Sequence, residues 1–356
     1  ARGIRVILDL VLNHSSSENE WFERSVARDP EYDDWYIWRD EPMPGRWMVY
    51  GADELVEGGG WRYSEERGQY YYAYFVPRMP DFNILNPAVR EELTEVARFW
   101  LDKGVSGFRL DAAQNIVEHG PGQDLQKDSP GTVAWWVEFN DAVKAADPEA
   151  MLVGEVWGTR ARIGRYHVRG KGLDRCFDFP FGASIRETLT SGEPEAFVDA
   201  AMSRHDVEAP PPFYAPFLTN HDQPRILTSL GGDLDKARRA AVLLLTAPGT
   251  PFLYYGEEIG MQQGQAEGEH PSARTPMQWD DSPTGGYTTA GEPWSPVAEN
   301  ADPYNVAHQS GREGSLLELY RAMIRLRRER PELRHGDYAF FDVGSGILAF
   351  RRTHED

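Results

Sequence analysis

The sequence predicts an α/β fold built around a parallel sheet, and three observations support this. Short apolar runs alternate with segments whose apolar residues repeat at helical spacing, an order typical of parallel strands joined by right-handed crossovers. Each apolar run ends in polar or charged residues. About six such units can be counted, whereas a closed (β/α)8 TIM barrel has eight and places its active site at the carboxyl ends of its strands. We therefore predict a TIM barrel that is truncated at its N-terminus.

The first unit supports that interpretation. Residues 4–12 form a largely apolar run, interrupted by Arg5 and Asp9, as expected for a strand buried on both faces of a sheet. The run ends in Asn13 and His14. The chain starts with neither methionine nor a signal-peptide pattern, so we expect it to begin within a domain, with residues 1–14 as a barrel strand. A histidine in this position alone is more often a hydrogen-bonded turn residue than a functional one.

The later segments differ in composition. Residues 15–80 lose all periodicity and are rich in Trp, Tyr, Gly and Pro, which predicts a small inserted domain rather than a simple loop. Residues 81–330 return to alternating strands and helices and form the rest of the barrel, and 331–356 alternate like the start of a C-terminal β domain. The strands are expected at 107–111, 151–155, 176–179, 216–219 and 252–255, and the helices at 86–104, 132–146, 184–202, 234–245 and 316–328.

Composition limits the possible partners. The 356 residues include 57 acidic and 37 basic side chains, a net charge of −20, which disfavours nucleic acid and anionic membrane surfaces. No apolar run approaches the length of a membrane span. The single cysteine, Cys176, excludes an internal disulfide framework and fits a cytoplasmic location. The expected substrate is neutral or cationic, and the oligomeric state is left open.

Residues 107–111 form the first stretch that contains candidate catalytic residues. Its alternation places Arg109 and Asp111 on one face at a strand end, where the arginine favours the ionised carboxylate. Glu155 and Asp222 also follow apolar strands, and such ends converge in a barrel. Two carboxylates in unlike environments suit glycoside hydrolysis, with ionised Asp111 as nucleophile and Glu155, its pKa raised by burial, as general acid. Three unrelated strand-end acids and a divalent metal cluster remain alternatives at this point, although Arg109 would oppose a cation.

The same stretches resemble the signature regions of the α-amylase family, glycoside hydrolase family 13. The matching stretches are 9–14, 107–111, 154–155 and 220–222, with 80–83 similar to a further short motif. The resemblance covers nearly the whole chain. The motif at 274–279 and Phe75 are similar to the exo-acting branch, which includes α-glucosidases, oligo-1,6-glucosidases and trehalose synthases.

The resemblance implies a role for each matching residue. Asp111 would be the nucleophile, Glu155 the acid/base and Asp222 the transition-state stabiliser. Substrate-binding roles would fall to His14, Arg109, His221, Phe75 and Arg274, with Asp9 in support. No cofactor is required. Asn13 matches a position that binds calcium in many α-amylases, so calcium is possible, but no metal ligands are assigned.

The chain also departs from the branch. Met79 stands where the branch usually has Gln, and the first two barrel strands, which grip the terminal glucose, have no counterpart. Ala112 follows the nucleophile, where a valine accompanies α-1,6 cleavage, and therefore indicates α-1,4 links.

The sequence thus predicts a retaining exo-acting α-glucosidase acting on short oligosaccharides. A trehalose synthase-type isomerase or transglucosidase is the main alternative, since it would use the same residues. A non-catalytic, glycosidase-like transporter subunit is a further one, but such chains often lack the acids that are present here.

Overall fold

The computed structural model describes residues 2–203, 209–265, 272–341, 343–344 and 347–354. The chain forms two compact units. One comprises Ala1–Trp157 and Arg162–Cys176, and the other Gly158–Ala161 and Phe177–Asp356. The boundary therefore crosses the strand that contains Cys176.

The strands are short, and they belong to one parallel sheet and three small sheets. In chain order they are β1 (Leu8–Leu10), β2 (Trp38–Arg39), β3 (Arg46–Trp47), β4 (Val56–Glu57), β5 (Trp61–Ser64), β6 (Gln69–Tyr72), β7 (Gly107–Leu110), β8 (Met151–Gly154), β9 (Arg175–Asp178), β10 (Tyr214–Pro216), β11 (Asp337–Phe341) and β12 (Ala349–Thr353).

Helices follow most strands of the parallel sheet. They are α1 (Glu20–Val26), α2 (Pro87–Asp102), α3 (Gln123–Gln126), α4 (Pro130–Ala146), α5 (Arg160–Gly164), α6 (Phe179–Ser191), α7 (Glu195–Met202), α8 (Ile226–Ser229), α9 (Leu234–Thr246), α10 (Val306–Gln309), α11 (Leu316–Glu329) and α12 (Pro331–His335). Segments Arg165–Gly170, Pro211–Phe213 and Glu257–Ile259 are 3-10 turns. Among the described residues, no helix is both long and apolar enough to span a bilayer.

The parallel sheet of the first unit places the candidate site. Strand β7 pairs with β1 on one side and β8 on the other, with Asp9 opposite Arg109 and Leu110 opposite Gly154. Phe108 and Leu110 are fully buried between these neighbours. Because all three strands run the same way, the residues that follow them emerge at one edge.

Residues 15–80 carry a short helix and two small antiparallel sheets. Strands β5 and β6 form a hairpin, and β2 pairs with the other edge of β6. The buried rings of Trp47, Trp61, Tyr72 and Tyr74 form one hydrophobic cluster. This segment therefore has its own aromatic core, and its assignment as a small inserted domain stays a prediction.

The second unit consists mainly of helices around a hydrophobic core of its own. There, β9 is followed in sheet order by β10. The core joins α6, α7 and α9 through Phe181, Phe197 and Leu244. Strands β11 and β12 form an antiparallel hairpin in which Tyr338 lies 6.0 Å from the ring of Phe197. The segment predicted to begin a β domain therefore packs against the helices of this unit.

Three predicted elements differ from the structure. The strand expected over 216–219 is instead Tyr214–Pro216, so the two overlap at Pro216 alone. The single helix expected over 184–202 is two helices, because Gly192 adopts a left-handed φ of 85° at the end of α6 and Pro194 follows it. The strand expected over 252–255 is absent from the assigned sheet. Phe252 donates one backbone hydrogen bond to Pro216 at 2.9 Å, but the N–H of Tyr254, the next one that would face the same neighbour, donates to the Glu257 carboxyl group at 3.2 Å instead.

Candidate active site

Arg109 is the centre of the site in the first unit. Its Nη1 lies 2.9 Å from Asp9 Oδ1 and also bonds Asp111 Oδ1, while its Nη2 lies 2.7 Å from Glu155 Oε2. Burial lowers the pKa of Arg109, but the three carboxylates outweigh burial and the pKa lies above its ordinary value. The structure thus brings together four of the predicted residues around one guanidinium that stays charged.

The two central carboxyl groups have different surroundings. The side chain of Glu155 is 9% exposed and that of Asp111 is 26% exposed. Burial raises the pKa of Glu155, Arg109 opposes this, and Asp111 adds to the increase. Burial and the neighbouring Asp111 carboxylate thus favour the protonated form of Glu155, as a general acid needs. The two carboxyl groups therefore differ in exposure, while both contact Arg109.

Both oxygens of Glu155 are fixed by donors. Oε2 accepts from the backbone N–H of Ala112 at 3.2 Å as well as from Arg109, and Oε1 accepts from the indole N–H of Trp157 at 3.1 Å. The backbone N–H of Glu155 donates to Leu110 at 2.9 Å, which extends the pairing of the two strands by one residue. The carboxyl group is therefore held in one orientation.

Ala112 adopts a strained backbone conformation beside Asp111. Its φ is 46°, in the left-handed region that residues with a Cβ rarely occupy. This backbone conformation directs the Ala112 N–H toward the Glu155 carboxyl group. The strained residue therefore connects Asp111 with Glu155.

We expect Ala112→Val to lower the free energy of unfolding by about 1 to 3 kcal/mol, because a β-branched side chain tolerates this conformation poorly. Chemical denaturation measures the change. Ala112→Gly is the control and should be neutral or stabilising, since glycine adopts positive φ freely. A valine variant as stable as the parent would contradict this reading of the turn.

His14 and Phe75 form an aromatic pair in the first unit. Their ring centroids lie 5.1 Å apart, and the ring centroids of Tyr50 and Phe75 lie 5.3 Å apart. Burial lowers the pKa of His14, with Asp111 acting in the opposite direction. The ring is therefore suited to be neutral near pH 7.

The tautomer of neutral His14 follows from its partner. Asn13 uses its Nδ2 to donate to Asp81 at 3.3 Å and to the carbonyl of Asn115, which leaves its Oδ1 facing His14 Nδ1 at 2.9 Å. An amide oxygen can only accept, so Nδ1 carries the proton. The other ring nitrogen, Nε2, then has a free lone pair and can accept a hydrogen bond from a hydroxyl group.

The surroundings of Asn13 do not fit a calcium ion in this arrangement. Calcium takes oxygen ligands, whereas the Asn13 amide nitrogen faces both Asp81 and Asn115. Burial raises the pKa of Asp81 and of neighbouring Glu118, which disfavours two full charges at this place. The described residues contain no group of three or more His, Cys, Asp or Glu side chains suited to a metal. No mechanistic step is therefore assigned to a metal.

The remaining predicted residues form a cluster in the second unit. Arg274 Nη2 lies 2.6 Å from Asp222 Oδ1, and its Nε donates to the carbonyl of His221 at 3.1 Å. His221 Nε2 lies 3.1 Å from Asp222 Oδ2. The motif that contains Arg274 is thus tied to the fourth signature stretch by a two-point contact.

Sequence reasoning missed several residues that hold the site. Gln114 accepts from the Trp157 backbone at 2.9 Å, and Glu118 pairs with Asp81. Gln114 is next to a signature stretch, which was a usable signal. No sequence pattern pointed to Glu118.

A comparison with protein families decides the affiliation. The family described as "Alpha amylase, catalytic domain" matches residues 1–336 of the chain. The chain belongs to the α-amylase family.

Among curated members of the α-amylase family, α-amylase 3 of Dictyoglomus thermophilum is 38% identical over 81% of this chain and 53% of its own length. The glucan 1,6-α-glucosidase of Streptococcus pneumoniae is 30% identical, covering 100% of this chain and 74% of its own length. The chain thus spans about half to three quarters of these relatives. The predicted family is confirmed, and glucosidases are among its relatives.

A solved α-amylase-family structure supports the fold. The trehalulose synthase of Pseudomonas mesoacidophila MX-45 matches with a TM-score of 0.85 and 29% identity, over 99% of this chain and 73% of its own. The fold is therefore of the α-amylase (β/α)8 barrel type, as predicted.

Proposed function

We propose that this chain carries the catalytic centre of a retaining, exo-acting α-glucosidase that removes terminal α-linked glucose, with α-1,4 links preferred, from short oligosaccharides. The observation that carries the proposal is the pair of unlike carboxyl groups on Arg109. Glu155 is buried with a raised pKa, and Asp111 is more exposed and bound to the same guanidinium. This is the pairing that a double-displacement glycosidase requires.

The reaction has two steps. An Asp111 oxygen attacks the anomeric carbon as the glycosidic C–O bond breaks, and Glu155 gives its proton to the leaving oxygen. Glu155 then removes a proton from water, whose oxygen attacks the same carbon and releases Asp111. The two inversions at one carbon give net retention.

The other residues are assigned supporting roles. His14 Nε2 would accept a hydrogen bond from a sugar hydroxyl, and Phe75 would pack against the sugar ring beside it. Asp222, paired with Arg274, would stabilise the transition state together with His221. The family resemblance supports these roles, as do the contacts within each cluster.

The anomer of the first product tests the mechanism. Proton NMR of p-nitrophenyl α-glucoside digests should show α-glucose before mutarotation begins, because all of the glucose then comes from the attacked residue. Maltotriose blocked at its non-reducing end should resist cleavage, because an exo-acting enzyme needs that end. Initial β-glucose would overturn the retaining mechanism, and cleavage of the blocked substrate at the normal rate would overturn the exo-acting assignment.

A sugar isomerase or transglucosidase is the second candidate. It is favoured by the similarity to a trehalulose synthase and needs the same two carboxyl groups. Chromatography of the products from maltose separates the candidates. Free glucose as the main product supports the hydrolase, whereas a rearranged disaccharide with little glucose supports the isomerase.

We expect Arg274→Lys to lower kcat/KM on maltose by about 10- to 100-fold, because a lysine keeps the charge but cannot bond Asp222 and the His221 carbonyl together. Steady-state kinetics measure the loss. Arg312→Lys, a change at an exposed arginine of the same unit, is the control. Equal activity of the two variants would show that Arg274 does not position Asp222.

A further inference from the structure

Gln114 is a buried polar residue that the proposed mechanism does not use. It is 4% exposed, and its side-chain Oε1 accepts a hydrogen bond from the backbone N–H of Trp157 at 2.9 Å. Its own carbonyl accepts from Asp128 N–H at 2.9 Å. Gln114 thus joins the loop after β7 to the loop after β8, and the second of these loops carries Glu155.

Trp157 connects this contact to the acid/base. Its backbone is held by Gln114, and its indole N–H donates to Glu155 Oε1 at 3.1 Å. The indole is 42% exposed, so packing restrains it less than it would restrain a buried ring. The hydrogen bond between Gln114 and the Trp157 backbone therefore contributes more to the position of the indole.

The identity of the bonded oxygen matters for proton transfer. Oε2 of Glu155 already accepts from the Arg109 guanidinium and the Ala112 N–H. Among the hydrogen bonds of the described residues, Oε1 accepts only the one from Trp157, so it keeps a lone pair for the transferred proton. The direction in which Oε1 points therefore determines where that proton is delivered.

We propose that Gln114 is a positioning residue for the general acid/base, acting through Trp157 to orient Glu155 Oε1 toward the leaving oxygen. This inference rests on the proposed function, because it assigns Glu155 the proton transfer. Gln114 itself contacts neither the second carboxylate nor the guanidinium in any contact described above. Its effect should therefore be confined to steps that need a proton.

The test compares two substrates in Gln114→Met, which keeps the length of the side chain and removes the acceptor oxygen. Maltose has a leaving hydroxyl that needs a proton, whereas dinitrophenyl α-glucoside releases a phenolate that does not. We expect kcat/KM to fall about tenfold more for maltose than for the aryl glucoside. Gln114→Glu keeps an acceptor oxygen and should restore most of the difference.

Gln126 provides a matched control in the same unit. It is fully buried, and its Oε1 accepts from the backbone N–H of Met48 at 2.7 Å, the same kind of bond. Gln126→Met also loses a donor to Tyr72. Gln126→Met should reduce stability at least as much as Gln114→Met does. It should, however, change kcat/KM by the same factor for maltose and for the aryl glucoside.

The pH profile gives an independent readout. Burial raises the pKa of Glu155, Arg109 lowers it and Asp111 raises it, and the hydrogen bond from Trp157 adds a smaller lowering. Weakening the hydrogen bond from Trp157 should therefore raise the pKa of Glu155 and move the basic limb of the kcat/KM profile on maltose to higher pH. A purely structural role for Gln114 would leave that limb in place.

The outcomes are distinct. A selective loss on maltose with a shifted basic limb supports the inference. Equal losses on both substrates, or an unchanged limb, would overturn it. Parent protein that cleaves neither substrate would instead contradict the proposed function, and the two failures can therefore be told apart.

Discussion

Asp111→Asn is expected to reduce kcat/KM on maltose by about 10⁴-fold or more, since an amide of the same shape cannot attack the anomeric carbon. Arg109 would keep its contacts with Asp9 and Glu155, so the arrangement around it should persist. Steady-state kinetics give the loss, and circular dichroism and thermal denaturation check the fold.

Asp9→Asn is the matched comparison for this variant. Asp9 binds the same guanidinium nitrogen at 2.9 Å, but its side chain is 56% exposed. Losing this carboxylate should cost far less activity than losing Asp111. If Asp111→Asn kept near-normal turnover, or if the two variants were equally impaired, the assignment of the nucleophile would be wrong.

Glu155→Gln is expected to abolish maltose hydrolysis while still reacting with dinitrophenyl α-glucoside in the first step. The amide removes the proton donor but leaves the nucleophile, so only substrates whose leaving group needs no proton should form the glucosyl-enzyme. A burst of dinitrophenolate followed by slow turnover would show this directly. The absence of any burst would contradict the role of Glu155 as the acid.

Azide distinguishes the two carboxyl roles through product stereochemistry. In Glu155→Ala, azide should attack the glucosyl-enzyme and give α-glucosyl azide, whereas in Asp111→Ala it should take the place of the nucleophile and give the β-anomer. NMR of the isolated azide identifies the anomer. Exchanged anomers would reverse the assignment of the two acids.

The difference in stability between Glu155→Gln and the parent protein should also depend on pH. Because the folded state raises the pKa of Glu155, this residue contributes less stability as pH rises through that value. Glutamine has no such dependence. The variant should therefore gain stability relative to the parent at neutral pH, and that gain should disappear at low pH, as thermal denaturation can measure.

The arrangement around Arg109 was accessible from sequence because it follows from the strand period and from parallel pairing. Alternation puts Arg109 and Asp111 on one face, and the ends of parallel strands meet at one edge. The family resemblance added roles to these residues. Neither argument required any knowledge of loop conformation.

The contacts that the sequence did not indicate depend on loop conformation. Gln114 and Trp157 are 43 residues apart and meet only because two loops fold over each other. The positive φ of Ala112 comes from the same tertiary setting, which overrides local preference. The break after α6 was readable in retrospect, since Gly192 and Pro194 are ordinary signals for the end of a helix.

The grouping of Asp9, Asp111 and Glu155 around Arg109 also has a consequence for inhibition. Three carboxylates against one guanidinium leave a charge of −2 when all are ionised, or −1 when Glu155 is protonated. A neutral sugar gains little from this excess, whereas a protonated amine of similar shape gains a Coulombic attraction. Hydroxylated amines, including common buffer components, should therefore compete with substrate, most strongly at low ionic strength and at pH values where the amine is charged.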